Sequence, residues 1–167
     1  MSLDRLWAGW RTEYVSAPEG ATGEEGGPAS CVLCRVVADG RYVVWRGGRV
    51  AVVLNAYPYT SGHVMVLPLR HVAEPEDMAP EESADLWAAV TDSVRALRAA
   101  YSPHGINLGA NLGRAAGAGV PGHFHVHTLP RWDGDTNFMT TVAEARVLPE
   151  ALPASLEKLR DAWRPPA

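Results

Sequence analysis

Residues 122–131 read Gly122-His123-Phe124-His125-Val126-His127-Thr128-Leu129-Pro130-Arg131. Three histidines alternate with apolar residues. A period of two is the period of a β-strand, in which successive side chains point to opposite faces. His123, His125 and His127 are therefore expected on one face, with Phe124, Val126 and Leu129 packing a core. Three imidazoles in a row are poor packing material, because each carries ring nitrogens that need partners when buried. Imidazole also changes charge near neutral pH, which suits it to nucleophilic, acid–base or metal chemistry. Half of the chain's 6 histidines lie in this stretch, so it is read as a chemical site rather than a polar strand face.

The rest of the chain sets modest bounds. A length of 167 residues, 47% hydrophobic and 20% charged, fits one globular domain with a real core. The longest apolar runs, such as residues 50–54, are strand-length and far short of the ~18 residues of a membrane span. Met1-Ser2-Leu3-Asp4-Arg5 lacks the apolar core of a secretory signal, so the expected location is cytoplasmic, with no membrane partner. A net charge of −4 argues against a nucleic-acid surface but leaves room for a local anion pocket.

Secondary structure is read outward from the histidines. Residues 106–112 form a short strand, and the helical spacing of Leu86, Val90, Val94, Leu97 and Tyr101 predicts a helix over 80–101. Pro80 suits its first turn, with Glu81 and Glu82 beside the positive dipole end, and Pro103 ends it. Residues 41–45 and 49–55 flank Gly47-Gly48 as a hairpin, and 62–67 is another strand closed by Pro68. A last helix is expected over 153–163. Residues 6–15 carry Trp7, Trp10 and Tyr14 at helical steps, followed by a Gly/Pro-rich linker over 16–30. Strands joined by short turns around one long helix indicate an α+β domain with a mainly antiparallel, five-stranded sheet.

Cys31-Val32-Leu33-Cys34 holds the only two cysteines and has three readings. A thioredoxin-like redox pair would need a strand before it, and the linker upstream offers none. Two incidental thiols are a second reading. A zinc half-site is the third, and it needs two more ligands from among His63, His71, His104 and the triad. His104, between Pro103 and Gly105, reads as a surface turn residue.

The segment before the triad, residues 107–119, is rich in Asn and Gly. Glycine lets consecutive N–H groups converge on one concavity, which suits a phosphate. The segment matches neither the Walker A nor the GxGxxG pattern. A flexible connector is the alternative, but the loop runs directly into the histidines and Arg131, whose guanidinium is shaped to hold a phosphate.

Asn111-x-Gly113-x-x-Ala116-Gly117, then His123-x-His125-x-His127 and Pro130-Arg131, resemble the signature of the histidine triad (HIT) family. Asn55, Gly62-His63-Val64-Met65-Val66-Leu67-Pro68 and His71 resemble its upstream nucleotide motif. Leu6-Trp7-Ala8 and Pro130-Arg131-Trp132-x-Gly134-Asp135-x-Asn137-Phe138 are similar to the branch of actinobacterial diadenosine polyphosphate phosphorylases. The resemblance implies a HIT-like catalytic domain over 31–150, preceded by an arm and linker over 1–30 and followed by a C-terminal helix and tail over 151–167. It implies that His125 attacks the α-phosphorus of a nucleotide, giving a nucleotidyl-histidine later released to phosphate or water, while His127 handles the phosphate and leaving group. Asn55 matches the ribose position, and Asn111, Gly113, Gly117, Gly119 and Arg131 the phosphate site. His63 either contacts the nucleotide or orients the other histidines. Members with an N-terminal CxxC imply a structural zinc on Cys31, Cys34, His71 and His123. The family also implies a homodimer.

One departure stands out. The family places Gln and then Ser or Thr ahead of the triad, whereas this chain has Ala118-Gly119-Val120-Pro121-Gly122, one residue longer and without those side chains. Contacts to the leaving group then either fall to backbone N–H groups or are missing. The expected activity is cleavage of a dinucleoside polyphosphate by phosphorolysis or hydrolysis. The alternatives are hydrolysis of a nucleoside phosphoramidate and a nucleotide-binding sensor or scaffold with little turnover.

Overall fold

A computed structural model describes residues 27–135 and 150–163. The arm expected at 6–15, most of the linker, Asn137-Phe138 and the tail after 163 lie outside the described residues. The elements in chain order are α1 (Val32–Asp39), β1 (Val43–Arg46), β2 (Val50–Leu54), β3 (Val64–Pro68), α2 (Pro80–Tyr101), β4 (Gly105–Gly109), β5 (Val126–Arg131) and α3 (Leu152–Ala162). All strand pairs are antiparallel, in the order β1-β2-β3-β5-β4.

β2 and β3 are buried along their whole length, because both faces of the sheet centre are covered. On one face Val50, Val52, Leu54, Val64, Val66, Phe124 and Val126 pack against Leu86, Val90 and Leu97 of α2 and Leu159 of α3. Trp45 and Trp163 stack at 5.4 Å where α3 meets the β1 end of the sheet. On the other face Ala51, Val53, Met65 and Leu67 pack against Cys31, Leu33 and Val37 of α1. α1 is the element that the sequence reading lacks. It has only 8 residues, no side-chain N-cap, and ends on Gly40 in the left-handed region, so neither periodicity nor a start signal announces it.

α2 matches its expected bounds. Its buried stripe runs through Leu86, Ala89, Val90, Ser93, Ala96 and Leu97, with Val94 only half-buried. The Glu82 carboxylate accepts from the Ala79 N–H (2.9 Å) and from Arg70 (3.0 and 2.7 Å). The Arg70 guanidinium, then the Ala79 N–H, hold Glu82 down to about 2. This pair ties the start of α2 to the segment just after β3, next to His71.

β4 ends at Gly109 rather than at residue 112, and it forms the sheet edge with most residues exposed. The regular part of the histidine strand begins only at Val126. His123 and His125 occupy an extended lead-in, held by the Phe124 N–H donating to the Val72 carbonyl (2.7 Å). Leu129 shares the parity of the histidines and is only half-buried. Phe124 and Val126 fill the core as expected.

Candidate functional site

The site lies on the α1 face of the sheet, towards the β4 edge. Directly opposed residues in neighbouring strands share a face, and one such row runs Val43, Val53, Met65, His127, Gly109. A hydrophobic row therefore ends in His127 and then in a glycine. Among the described residues nothing lies within 4 Å of where a Gly109 Cβ would sit, so there the strand edge beside His127 presents bare backbone.

Two groups of histidines diverge from this stretch. In the first, His125 Nδ1 lies 2.8 Å from the carbonyl oxygen of His123. A carbonyl only accepts, so Nδ1 carries the proton and Nε2 keeps a lone pair. His63 is fully buried, and its Nδ1 accepts from the Tyr59 N–H (3.1 Å). Its proton is then on Nε2, which donates to His127 Nδ1 at 2.9 Å and leaves His127 with its own proton on Nε2. The His125 and His127 rings stand nearly perpendicular, 4.9 Å apart. One thus offers a lone pair and its neighbour an N–H. Burial holds His127 down to about 4, helped by the neighbouring His125, and burial also lowers His125 despite its carbonyl partner. Both rings are neutral at pH 7.

In the second group, Cys31, Cys34, His71 and His123 offer one ligand atom each, all within 4.8 Å of one another. His123 Nε2–H donates to the Pro68 carbonyl (2.9 Å), which turns the lone pair of Nδ1 towards both sulfurs at 3.4 and 3.5 Å. The sulfur of Cys34 also lies 3.5 Å from His71 Nδ1. Zinc bonds of ~2.3 Å to sulfur and ~2.05 Å to nitrogen, at tetrahedral angles, separate S from N by about 3.6 Å. The observed spacings fit that centre closely. Burial and the adjacent Cys31 thiol push Cys34 up to about 11, so the sulfur carries its proton unless a cation displaces it.

The remaining expected residues are placed as follows. Asn55 sits beside the site, its side-chain oxygen accepting from the Tyr57 N–H (3.0 Å) and its Nδ2 3.4 Å from His63 Nδ1. His63 stands behind His127 with no exposed surface. Asn111 Nδ2 donates to the Gly117 carbonyl (3.4 Å), bracing a turn in which Gly113 and Gly117 take φ of 73° and 88°. Gly119 lies in the following turn, where the Val120 carbonyl accepts from the His123 N–H (3.3 Å). Arg131 closes the far end of β5. Its guanidinium donates to Asp135 (2.5 and 2.6 Å) and to Asn107 (2.8 Å), some 13 Å along the strand from His127 at ~3.3 Å per residue. His104 is exposed and pairs with Asp133.

Three contributors left no trace in residue type: the Tyr59 N–H and the carbonyls of His123 and Pro68, all backbone groups. The Tyr59 ring, 4.8 Å from His63 and 6.1 Å from His127, also went unread.

The HIT domain family model matches residues 40–134. The chain belongs to the HIT domain family. This HIT protein is 39% identical over 165 residues to the AP-4-A phosphorylase of Mycobacterium tuberculosis, a match covering 96% of this chain and 85% of that one. That likeness agrees with the actinobacterial branch suggested by the flanking motifs. It is also 35% identical over 96 residues to the asymmetrical bis(5'-nucleosyl)-tetraphosphatase of Schizosaccharomyces pombe, covering 58% of this chain and 52% of that one. Among solved structures, a Zn-bound histidine triad family protein from Mycobacterium smegmatis superposes with a TM-score of 0.67 at 30% identity. That match covers 82% of this chain and 95% of the other. The five-stranded antiparallel sheet is that of the family.

Proposed function

We propose that this HIT protein cleaves dinucleoside polyphosphates of the diadenosine tetraphosphate class by nucleotidyl transfer through His125. The observation that carries the reading is the pair of opposite tautomers: a lone pair on His125 Nε2 beside an N–H on His127 Nε2. Nucleophilic catalysis by imidazole needs that arrangement. His125 Nε2 attacks the α-phosphorus, and the bond from phosphorus to the bridging oxygen breaks. The Nε2–H of His127 donates a hydrogen bond to the departing polyphosphate, which leaves as its anion, and His127 keeps its proton. An oxygen of inorganic phosphate or water then attacks the same phosphorus, the N–P bond breaks, His125 recovers its Nε2 lone pair, and when water is the acceptor its proton passes to solvent.

Asn55 holds the ribose and the Asn111–Gly119 loop the phosphates, with backbone N–H groups replacing the missing Gln and Ser or Thr. His63 positions His127. Arg131, already paired, clamps the ends of β4 and β5 and makes no phosphate contact in this account. The name and extent of the mycobacterial relative favour phosphate over water as acceptor. Incubating the protein with diadenosine tetraphosphate and phosphate tests this. ADP with ATP is the expected outcome, AMP with ATP would move the assignment to hydrolysis, and no consumption would remove it.

Cys31, Cys34, His71 and His123 are assigned to a structural zinc. Four protein ligands leave no open position for substrate, so that metal supplies cross-linking of α1 to the lead-in of β5 and no chemistry on phosphate. Two unpaired cysteines suit a reducing, cytoplasmic setting. The open β4 edge, with Leu108 half exposed, supports a homodimer, since an unpaired edge is a ready template for a second copy. In this reading residues 31–150 carry the chemistry, flanked by the arm and linker (1–30) and the C-terminal helix and tail (151–167).

A further inference from the structure

His123 makes contacts in three directions. Its Nδ1 faces both cysteines, its Nε2–H donates to the Pro68 carbonyl, and its own carbonyl accepts the Nδ1–H of His125. The third contact defines the tautomer of the nucleophile, and the first two fix the residue that provides it. The sheet contributes little here, because the ladder between β3 and β5 starts at Val66 and Val126. Residues 123–125 are held by the Phe124 N–H to the Val72 carbonyl, by the His123 N–H to the Val120 carbonyl, by the buried Phe124 ring and by the Cys/His cluster. Val72 and Phe124 each directly follow a cluster residue, His71 and His123. The cluster and the Phe124–Val72 bond thus clasp the carbonyl on which His125 depends, and of these restraints only the cluster holds the His123 ring itself.

We propose that metal occupancy of the Cys31/Cys34/His71/His123 cluster sets the tautomer and position of His125, making His123 a positioning residue for the nucleophile as well as a ligand. Loss of the cation frees the His123 ring from both sulfurs and lets the peptide that follows it turn. His125 then divides between its two tautomers, and the one protonated on Nε2 cannot attack phosphorus. The hydrogen bonds that brace Asn55 and the Asn111–Gly117 turn run to Tyr57, His63 and Gly117 and not to the cluster, and the 111–119 loop meets it only through the backbone bond at Val120, so nucleotide binding is expected to survive. Metal occupancy then governs turnover rather than affinity.

The inference rests on the metal and nucleophile assignments above, and the experiment separates their failures. The full chain is prepared zinc-loaded, chelator-stripped, zinc-restored and as Cys34→Ser. Metal content, the imidazole ¹⁵N spectrum of His125, AMP affinity and turnover of diadenosine tetraphosphate are read on each. With zinc, His125 shows a single Nδ1–H form. Without it the signal moves towards a tautomer average, kcat falls by about 10²- to 10⁴-fold, the scale of a lost tautomer lock, and AMP affinity holds. Restored zinc returns both signal and rate. If stripping unfolds the chain, replacing zinc by cadmium, whose bonds are longer, keeps the centre filled and is expected to shift the His125 Nδ1 resonance.

A folded metal-free protein with an unchanged His125 spectrum and rate overturns the coupling, as does a cadmium form with an unmoved resonance. A wild-type chain that binds no zinc overturns coupling and metal centre together. Failure to consume the dinucleotide with zinc bound overturns the proposed function while leaving the spectroscopic test of the coupling standing.

Discussion

His123 and His127 are four residues apart in one stretch of chain, yet they face different chemistry. Around His123 everything converges inward: two sulfurs, a second imidazole and a carbonyl surround a ring that is 1% exposed. Around His127 a side-chain hydrogen bond comes from His63, with the Tyr59 and His125 rings nearby, while the strand edge beside it offers the bare backbone of Gly109. The lesson is that residue type does not assign a histidine's role. The group holding one ring nitrogen decides what the other can do. A carbonyl behind His125 exposes a lone pair, and the Nε2–H of His63 behind His127 exposes an N–H.

The comparison breaks most severely at His125. Replacing it with Asn or Ala is expected to remove turnover, on the order of 10⁴-fold or more, while AMP affinity by calorimetry stays near wild type. Full activity in either variant would overturn the nucleophile. At the metal side, Cys31→Ser should lose zinc by elemental analysis. A loss of even ~3 kcal/mol lowers the melting temperature by roughly 6–12 °C in a chain of this size. Undiminished zinc in that variant would refute the centre.

His63→Phe preserves bulk but removes the donor to His127. The expected cost is about 10²-fold in kcat with KM little changed, and a KM effect alone would return His63 to the nucleotide. The pH dependence of stability sharpens the contrast further. His127 is held at about 4 in the folded chain against 6.5 ordinarily, so the unfolded chain takes up that proton first as pH falls. Stability is then constant above about pH 6.5, declines between about 6.5 and 4, and levels off below. His127→Gln should flatten the decline in chemical denaturation, and an identical slope in the variant would contradict the assignment. The smallest effect is expected at Arg131→Ala, which breaks a partly exposed pair worth up to ~1 kcal/mol and leaves nucleotide affinity unaltered. A tenfold or larger loss of affinity (about 1.4 kcal/mol) would restore Arg131 to the phosphate site.

Much of this was legible from residue patterns. The β-branched runs around Gly47-Gly48 and the 3–4 spacing of Leu86, Val90 and Leu97 announce β1, β2 and α2. The motif resemblance brought Cys31, Cys34, His71 and His123 together across 92 residues before any fold was known, and those four atoms do cluster. What stayed hidden is physical in kind. α1 is too short to show a period. The partners that choose each tautomer are backbone carbonyls and N–H groups, which no side chain reveals. Arg131 carries the right shape for phosphate, and its pairing with Asp135, four residues later, is a local contact that this shape does not announce. Alternation placed the histidines on one face but could not show that the ladder begins only at Val126.

The central claim is a division of labour, with His125 alone bonding to phosphorus. It is tested most directly by mixing zinc-loaded protein with diadenosine tetraphosphate in the absence of phosphate. The reaction is quenched in base, where phosphorus–nitrogen bonds persist, and the peptides are mapped by mass spectrometry. The expected result is an adenylyl group on His125, discharged when phosphate is added before the quench. An adduct on His127 or His123, or rapid turnover with His125 never modified, would contradict the account.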